Sequence, residues 1–247
     1  MSSHLKSIVF LGSKPVGYRC LQHLIAVREW LGLEIAGVLT QGRKEFGGAH
    51  DLAALAGMHG IPVFDTPDDI PVCDILYSVQ YHLILKQEHI DKARGIALNL
   101  HMAPLPEYRG CNQFSFAIVD GKKEFGTTIH QIDDGIDHGD ILFERRFAVA
   151  EDCWVEDLYE LTLEASVALF GDTLPAIVAG DYAGTPQQAL VGERGTSIHY
   201  RKDIGALKVI DLNWDAEKIS RHVRATSMPG FEPPYAFVGE QKVYFSR

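Results

Sequence analysis

Asn99 and His101 lie two residues apart at the end of a short apolar run, residues 96–98. In a strand, residues two apart share a face, so both side chains can point together into a cleft at the strand end. Asparagine supplies a neutral amide donor, and histidine a proton carrier near neutral pH. Further on, Asp133, Asp134, Asp137 and Asp140 place four carboxylates in one glycine-broken loop. Together these residue types suit acyl transfer to an amine. The amide steadies a tetrahedral oxyanion, the imidazole serves that charge and the proton, and the carboxylate orients or receives. The same residues also fit a plainer reading, in which Asn99 caps a turn, His101 is a satisfied loop histidine and the aspartates form a solvated turn.

Spacing excludes several other chemistries. Gly12-Ser13-Lys14-Pro15-Val16-Gly17 continues with Tyr18-Arg19 and not with the Lys-Ser/Thr of a phosphate loop. Lys14 also stands where a dinucleotide fingerprint needs its second glycine. No Gly-x-Ser-x-Gly elbow occurs. The 11 histidines include no HExxH pair, His130 and His138 form at most a loose cluster, and no metal is expected. A pyrophosphate wants Lys or Arg, and Lys14, Arg109 and Tyr200-Arg201 are the candidates. Phe231 and Tyr235 are candidates for a nucleotide base or for a dimer contact. Each of these is equally readable as a solvated cation or a packed aromatic.

The elements needed to position such residues are legible. Apolar runs at 7–12, 33–40, 61–64, 75–79 and 95–100 read as strands, and 16–30, 48–60 and 86–93 between them as helices. That order predicts an α/β fold with a mostly parallel sheet and helices on both faces, whose ligands bind beyond the carboxyl ends of the strands. A helix over 112–120, strands over 127–131 and 140–148, and a long amphipathic helix over 155–179 follow. After Gly180 the apolar pattern thins, leaving a helix over 216–226 and a hairpin over 235–245 turning at Gly239-Glu240. Residues 1–180 are expected to form the catalytic core and 181–247 a small C-terminal appendage of helix and β-hairpin.

The 247 residues, 46% apolar and 23% charged, suit one globular domain with a little chain to spare. Lys+Arg 23 against Asp+Glu 33 gives a net charge of −10, which argues against nucleic acid as a partner. Cys20, Cys73, Cys111 and Cys153 are far apart, as free thiols in a reducing cytosol would be. Neither a signal peptide nor an apolar run of membrane-spanning length is expected. The expected location is therefore cytoplasmic, with no membrane partner.

Asn99-x-His101, followed by Leu105-Pro106-x-Tyr108-Arg109-Gly110, Gly126-Thr127-Thr128-Ile129-His130 and Ile136-Asp137-His138-Gly139-Asp140-Ile141, resembles the N10-formyltetrahydrofolate-dependent formyltransferases. The resemblance implies a Rossmann-like core and a catalytic triad of Asn99, His101 and Asp137. It places the folate pterin at Tyr81, His82, Leu83 and Leu85 and at the loop carrying Ile132, Asp133, Gly135 and Ile136. An apolar strand-to-helix turn at 81–85 is a sensible slot for a flat ring, and equally plain core. A tRNA-directed relative would carry a further C-terminal β-barrel, and the glycinamide ribonucleotide enzymes stop earlier. The stretch from Asp211 to Gly239 resembles that of the sugar-nucleotide N-formyltransferases instead. The stretch from His101 to Ile118 is most similar to enzymes acting on dTDP-4-amino-4,6-dideoxyglucose, which adds Tyr108, Gly110 and Asn112 to the substrate-binding candidates. A dTDP-linked amino sugar, N10-formyltetrahydrofolate and a homodimer are thus implied, with a formamido sugar for O-antigen or another surface glycan as product. Formylation of a 3-amino sugar or another small amine, hydrolysis of formyltetrahydrofolate, and a non-catalytic folate or sugar-nucleotide binder are the alternatives.

Overall fold

Seven strands form the central sheet of the computed structural model, in which residues 5–40 and 50–246 are described. β1 (Lys6–Gly12) leads into α1 (Lys14–Val27), β2 (Leu33–Leu39), α2 (Leu52–Met58) and β3 (Val63–Phe64). Next come β4 (Cys73–Val79), the one-turn α3 (Gln87–Ile90) and β5 (Ala93–His101). β6 (Arg109–Gly110), α4 (Gln113–Val119), β7 (Glu124–Gln131), β8 (Ile141–Ala148) and α5 (Val155–Ala179) follow. The sheet order is β3-β2-β1-β4-β5-β7-β8, parallel from β3 to β5. β7 then pairs antiparallel with both β5 and β8. This is the mostly parallel α/β core that the alternating apolar runs predict. The expected helix start at Gly48 lies outside the described residues.

Strand alternation sends Ile8 and Phe10 of β1, Tyr77 of β4 and Leu98 of β5 to one face, where they pack with Val16, Leu21 and Leu24 of α1 and Phe170 and Leu174 of α5. Phe170 anchors that layer, with its ring 4.9 Å from Tyr77 and edge-on to Phe10. The opposite face carries Val9, Leu11, Leu76 and Ala97, and its cover is thinner, including Ile70 and Ile90. The expected helix over 86–93 shrinks to the single turn α3 because the Cys73 N–H takes the Lys92 carbonyl into the sheet.

α5 corrects one expectation. It is long and apolar enough to cross a membrane by length and composition alone. Leu158, Leu163, Leu169, Phe170, Leu174 and Ile177 are all buried in the protein, however, and 56% of its most apolar stretch is covered. It serves as the core helix.

After α5 the chain is more structured than its composition suggests. α6 (Val191–Arg194), β9 (Ile198–His199), α7 (Ile204–Leu207) and α8 (Ala216–Thr226) precede the hairpin of β10 (Tyr235–Val238) and β11 (Gln241–Tyr244). The Asp215 side chain caps α8 by accepting from the Lys218 N–H. Arg224 ties α8 to the core by donating to the carbonyls of Glu151 and Cys153.

Candidate active site

The register between β5 and β7 builds the centre of the site. Asn99 stands directly opposite His130, and His101 opposite Thr128. Asn99 and His101 share a face, as their spacing predicts, and both meet Asp137 in the loop that follows β7. Asn99 Nδ2 lies 3.4 Å from Asp137 Oδ1, and His101 Nδ1 3.6 Å from Asp137 Oδ2. The three residues named by the resemblance are therefore brought together at the carboxyl end of β5.

Two histidines are oriented there by backbone carbonyls. His101 Nε2 donates to Tyr108 O at 2.7 Å, so in the neutral ring Nδ1 carries the lone pair and faces Asp137. His130 Nδ1 donates to Gln131 O at 2.6 Å, leaving Nε2 to accept from Asn99 Nδ2 at 3.2 Å. Both rings are almost fully buried, at 3% and 2% exposed, so neither is oriented by solvent.

Asp137 adopts a left-handed backbone, φ 45°, which is uncommon for a non-glycine residue. Its carboxylate accepts from the Gly110 N–H at 2.9 Å. Burial pushes the Asp137 carboxyl up, yet the positive charge that His101 and His130 carry when protonated, together with the Gly110 N–H, outweighs it and holds the group well below the usual carboxylate range.

The chain after α5 supports this centre from outside. β9 pairs parallel with β6, with His199 facing Gly110. Gly110 has φ 85°, and a Cβ there would sit 2.2 Å from His199 O, so only glycine presents its N–H to Asp137 in this way. Gln187 donates from Nε2 to the carbonyls of Asp137 and Gly139, at 2.9 and 2.8 Å.

The other expected site residues fall into separate places. Tyr81, Leu85 and Ile132, from the two segments expected at the pterin, are partly buried and pack against the same apolar cluster, which includes Val9, Leu76 and Ala97. The Tyr81 ring touches that of His82, and its buried hydroxyl has no partner among the described residues. Leu83 and Ile136 are exposed. Asp133 accepts from the Gly135 N–H and pairs with His138 Nδ1 at 2.7 Å. His138 thus turns away from His130, which faces Asn99.

Arg109 Nε donates to Ile136 O at 2.8 Å, placing this cation on the Asp137 loop. Lys14, with φ 64°, donates to Gln80 Oε1 at 2.9 Å across the ends of β1 and β4. Asn112 Nδ2 donates to Tyr200 O, so the turn carrying Tyr200 and Arg201 is fastened beside Arg109 and Gly110. The Tyr108 ring is buried, with its hydroxyl on Asp120 Oδ2 at 2.7 Å, and its carbonyl serves His101. Phe231 is exposed, and Tyr235 lies in the hairpin against Phe237, Tyr244 and Lys242. No contact joins these two to the Asn99–His101–Asp137 cluster among the described residues.

Sequence reading missed His130 and Gln187 as site residues. The signal for His130 was present in the alternation of Thr128 and His130 along an apolar strand. Seeing that it faces Asn99 requires the β5–β7 register. Gln187 carries no local signal.

Residues 72–174 match the formyl transferase family, a span containing Asn99, His101 and Asp137. The fold is the formyltransferase fold. Over 172 residues the chain is 28% identical to GDP-perosamine N-formyltransferases of Brucella melitensis and Brucella abortus, covering 70% of this chain and 63% of theirs. The chain thus matches less than two thirds of the length of those relatives. The formyltransferase fold extends over nearly the whole chain in three solved structures. WlaRD, a sugar 3N-formyl transferase, superposes with a TM-score of 0.81 at 22% identity over 98% of this chain and 85% of that one. A 4-N formyltransferase of Francisella tularensis gives 0.81 at 18% identity over 99% and 98%. The N-formyltransferase of Helicobacter canadensis, solved with folinic acid and dTDP-3-aminofucose, gives 0.78 at 20% identity over 96% and 85%.

Proposed function

We propose that this protein transfers a formyl group from N10-formyltetrahydrofolate to the amino group of a dTDP-linked amino sugar, with dTDP-4-amino-4,6-dideoxyglucose as the acceptor. The observation that carries this reading is the convergence of Asn99 Nδ2 and His101 Nδ1 on one largely buried carboxylate, 15% exposed, at the carboxyl end of β5. Its similarity to sugar N-formyltransferases supports a sugar-nucleotide acceptor. The partly buried Tyr81, Leu85 and Ile132, which pack against one apolar cluster, suit a flat pterin. No metal or other cofactor is part of the reading.

The chain's residues divide the work. Asn99, oriented by His130, exchanges its long 3.4 Å contact with Asp137 Oδ1 for the oxyanion that forms when the sugar amine attacks the formyl carbon, donating to it from Nδ2. His101 has one nitrogen committed to Tyr108 O, so proton traffic runs through Nδ1. Nδ1 accepts the amine proton and delivers it to the departing N10 nitrogen. A carboxylate held well below its usual range is a poor proton acceptor, so Asp137 acts as the anion that steadies protonated His101. Arg109 and Lys14, with the Tyr200-Arg201 turn, supply positive charge and hydrogen-bond donors for the pyrophosphate.

The reading places the protein in the cytoplasm, where its four free cysteines stay reduced. It also pairs two copies through the C-terminal hairpin, whose Phe237, Val238, Val243 and Tyr244 are exposed, as is Phe231. The test is to incubate the protein with N10-formyltetrahydrofolate and dTDP-4-amino-4,6-dideoxyglucose and follow the formamido product by mass. The 3-amino isomer, a GDP-linked 4-amino sugar and water are the competing acceptors. Turnover of any of these in preference to the first would reassign the acceptor.

A further inference from the structure

We infer that Gln187 is a positioning residue that holds Asp137 in its working conformation; the inference rests on the catalytic reading of Asp137 given above. Thr185 makes a two-bond antiparallel bridge with Ile141, at 2.8 and 2.9 Å, immediately after the Asp137 loop. That bridge carries the chain back along the loop, and Gln187, two residues on, is turned inward and only 5% exposed. Its Nε2 has two hydrogens, and the two carbonyls it reaches, Asp137 O and Gly139 O, take one each.

The loop needs such a hold. Asp137 carries a left-handed φ without the freedom of glycine, and the four groups around its carboxylate approach from three directions. Asn99 and His101 belong to β5, His130 to β7, and the Gly110 N–H to β6. Fixing the carbonyls on both sides of His138 fixes the turn that aims the Asp137 side chain. Rotation of the 137–138 peptide would swing the carboxylate off His101, and Gln187 opposes that rotation directly.

The other end of the Gln187 amide supports this assignment. Oε1 is buried and has no partner among the described residues. A side chain that merely filled this space would avoid that cost by being apolar. The position keeps an amide because its N–H groups are used. The same C-terminal stretch supports Asp137 a second time through β9, which seats Gly110. Asp137 is therefore braced from its main chain by Gln187 and from its side chain by Gly110.

Gln187→Met keeps the volume and removes both donors. With wild-type protein as control, the expected result is a kcat lower by roughly ten- to a hundredfold. KM for both substrates should stay within about twofold, and Tm within a few degrees, of wild type. Hydrogen exchange of the ligand-free variant should accelerate over residues 132–140 while β7, β8 and α5 keep their protection. An unchanged kcat, or a loss explained by unfolding alone, overturns the inference and leaves the function standing. If the wild-type protein formylates no acceptor, the functional reading fails instead, and exchange over 132–140 still decides whether Gln187 holds the loop. Gln187→Glu, which keeps the shape but sets a carboxylate against two carbonyls, repeats the test should the methionine variant not fold.

Discussion

Asn99 and His130 face each other across the antiparallel β5–β7 pair, with Asn99 Nδ2 3.2 Å from His130 Nε2. The ladder register puts them opposite, and the Gln131 carbonyl turns the imidazole so that its acceptor nitrogen meets the amide. Asn99 Nδ2 is thereby held between His130 Nε2 and Asp137 Oδ1, the latter 3.4 Å away.

Asn99→Ala removes the oxyanion donor. Its kcat should fall by roughly 10²–10³, with nucleotide-sugar binding and Tm close to wild type. Steady-state kinetics beside a binding titration separates the two effects, and wild-type turnover would remove Asn99 from the catalytic role.

His130→Phe keeps an aromatic ring and deletes the acceptor that aligns Asn99. One lost hydrogen bond corresponds to about a tenfold lower kcat, with KM little changed. A double-mutant cycle with Asn99→Ala checks the relationship. If His130 acts through Asn99, its substitution costs much less once Asn99 is gone.

Asp137 also makes an acid-stability prediction. Its carboxyl is depressed in the folded protein, so its contribution to stability is present above the unfolded value of about 3.9. That contribution is lost as the pH falls from there through the lower folded value. In Tm measured against pH, Asp137→Asn should remove part of the decline below about pH 4. An identical acid limb in both proteins would contradict the depressed carboxyl.

Gly110→Ala forces a Cβ against the His199 carbonyl at a left-handed φ. The strain is of order 1–3 kcal/mol, and each 1 kcal/mol lowers Tm by about 2–4 °C in a protein of this size. Because the Gly110 N–H also holds Asp137, kcat should fall further than the loss of folded protein explains.

Much of this is legible in the sequence. Continuous apolar runs located the strands at 7–12 and 75–79, because these are covered on both faces, and helical spacing located the helix at 155–179. The i, i+2 spacing of Asn99 and His101 correctly implied a shared face. Local pattern failed where long-range pairing decides. Nothing near Gly110 announces β9, which arrives from residues 198–199, and nothing near Gln187 announces the carbonyls of Asp137 and Gly139. The resemblance names Tyr108 as a substrate-binding residue, and the structure buries its ring in the core with its carbonyl on His101. α5 has membrane-like composition because it is covered by protein along one long face.

The most direct measurement of the central claim is product formation by the wild-type protein and Asp137→Asn, each given N10-formyltetrahydrofolate and dTDP-4-amino-4,6-dideoxyglucose and read by mass spectrometry. The wild-type protein should add one formyl group to the sugar amine, and Asp137→Asn should do so at a small fraction of that rate. No formylated sugar from the wild-type protein, or equal rates from both, would contradict the account.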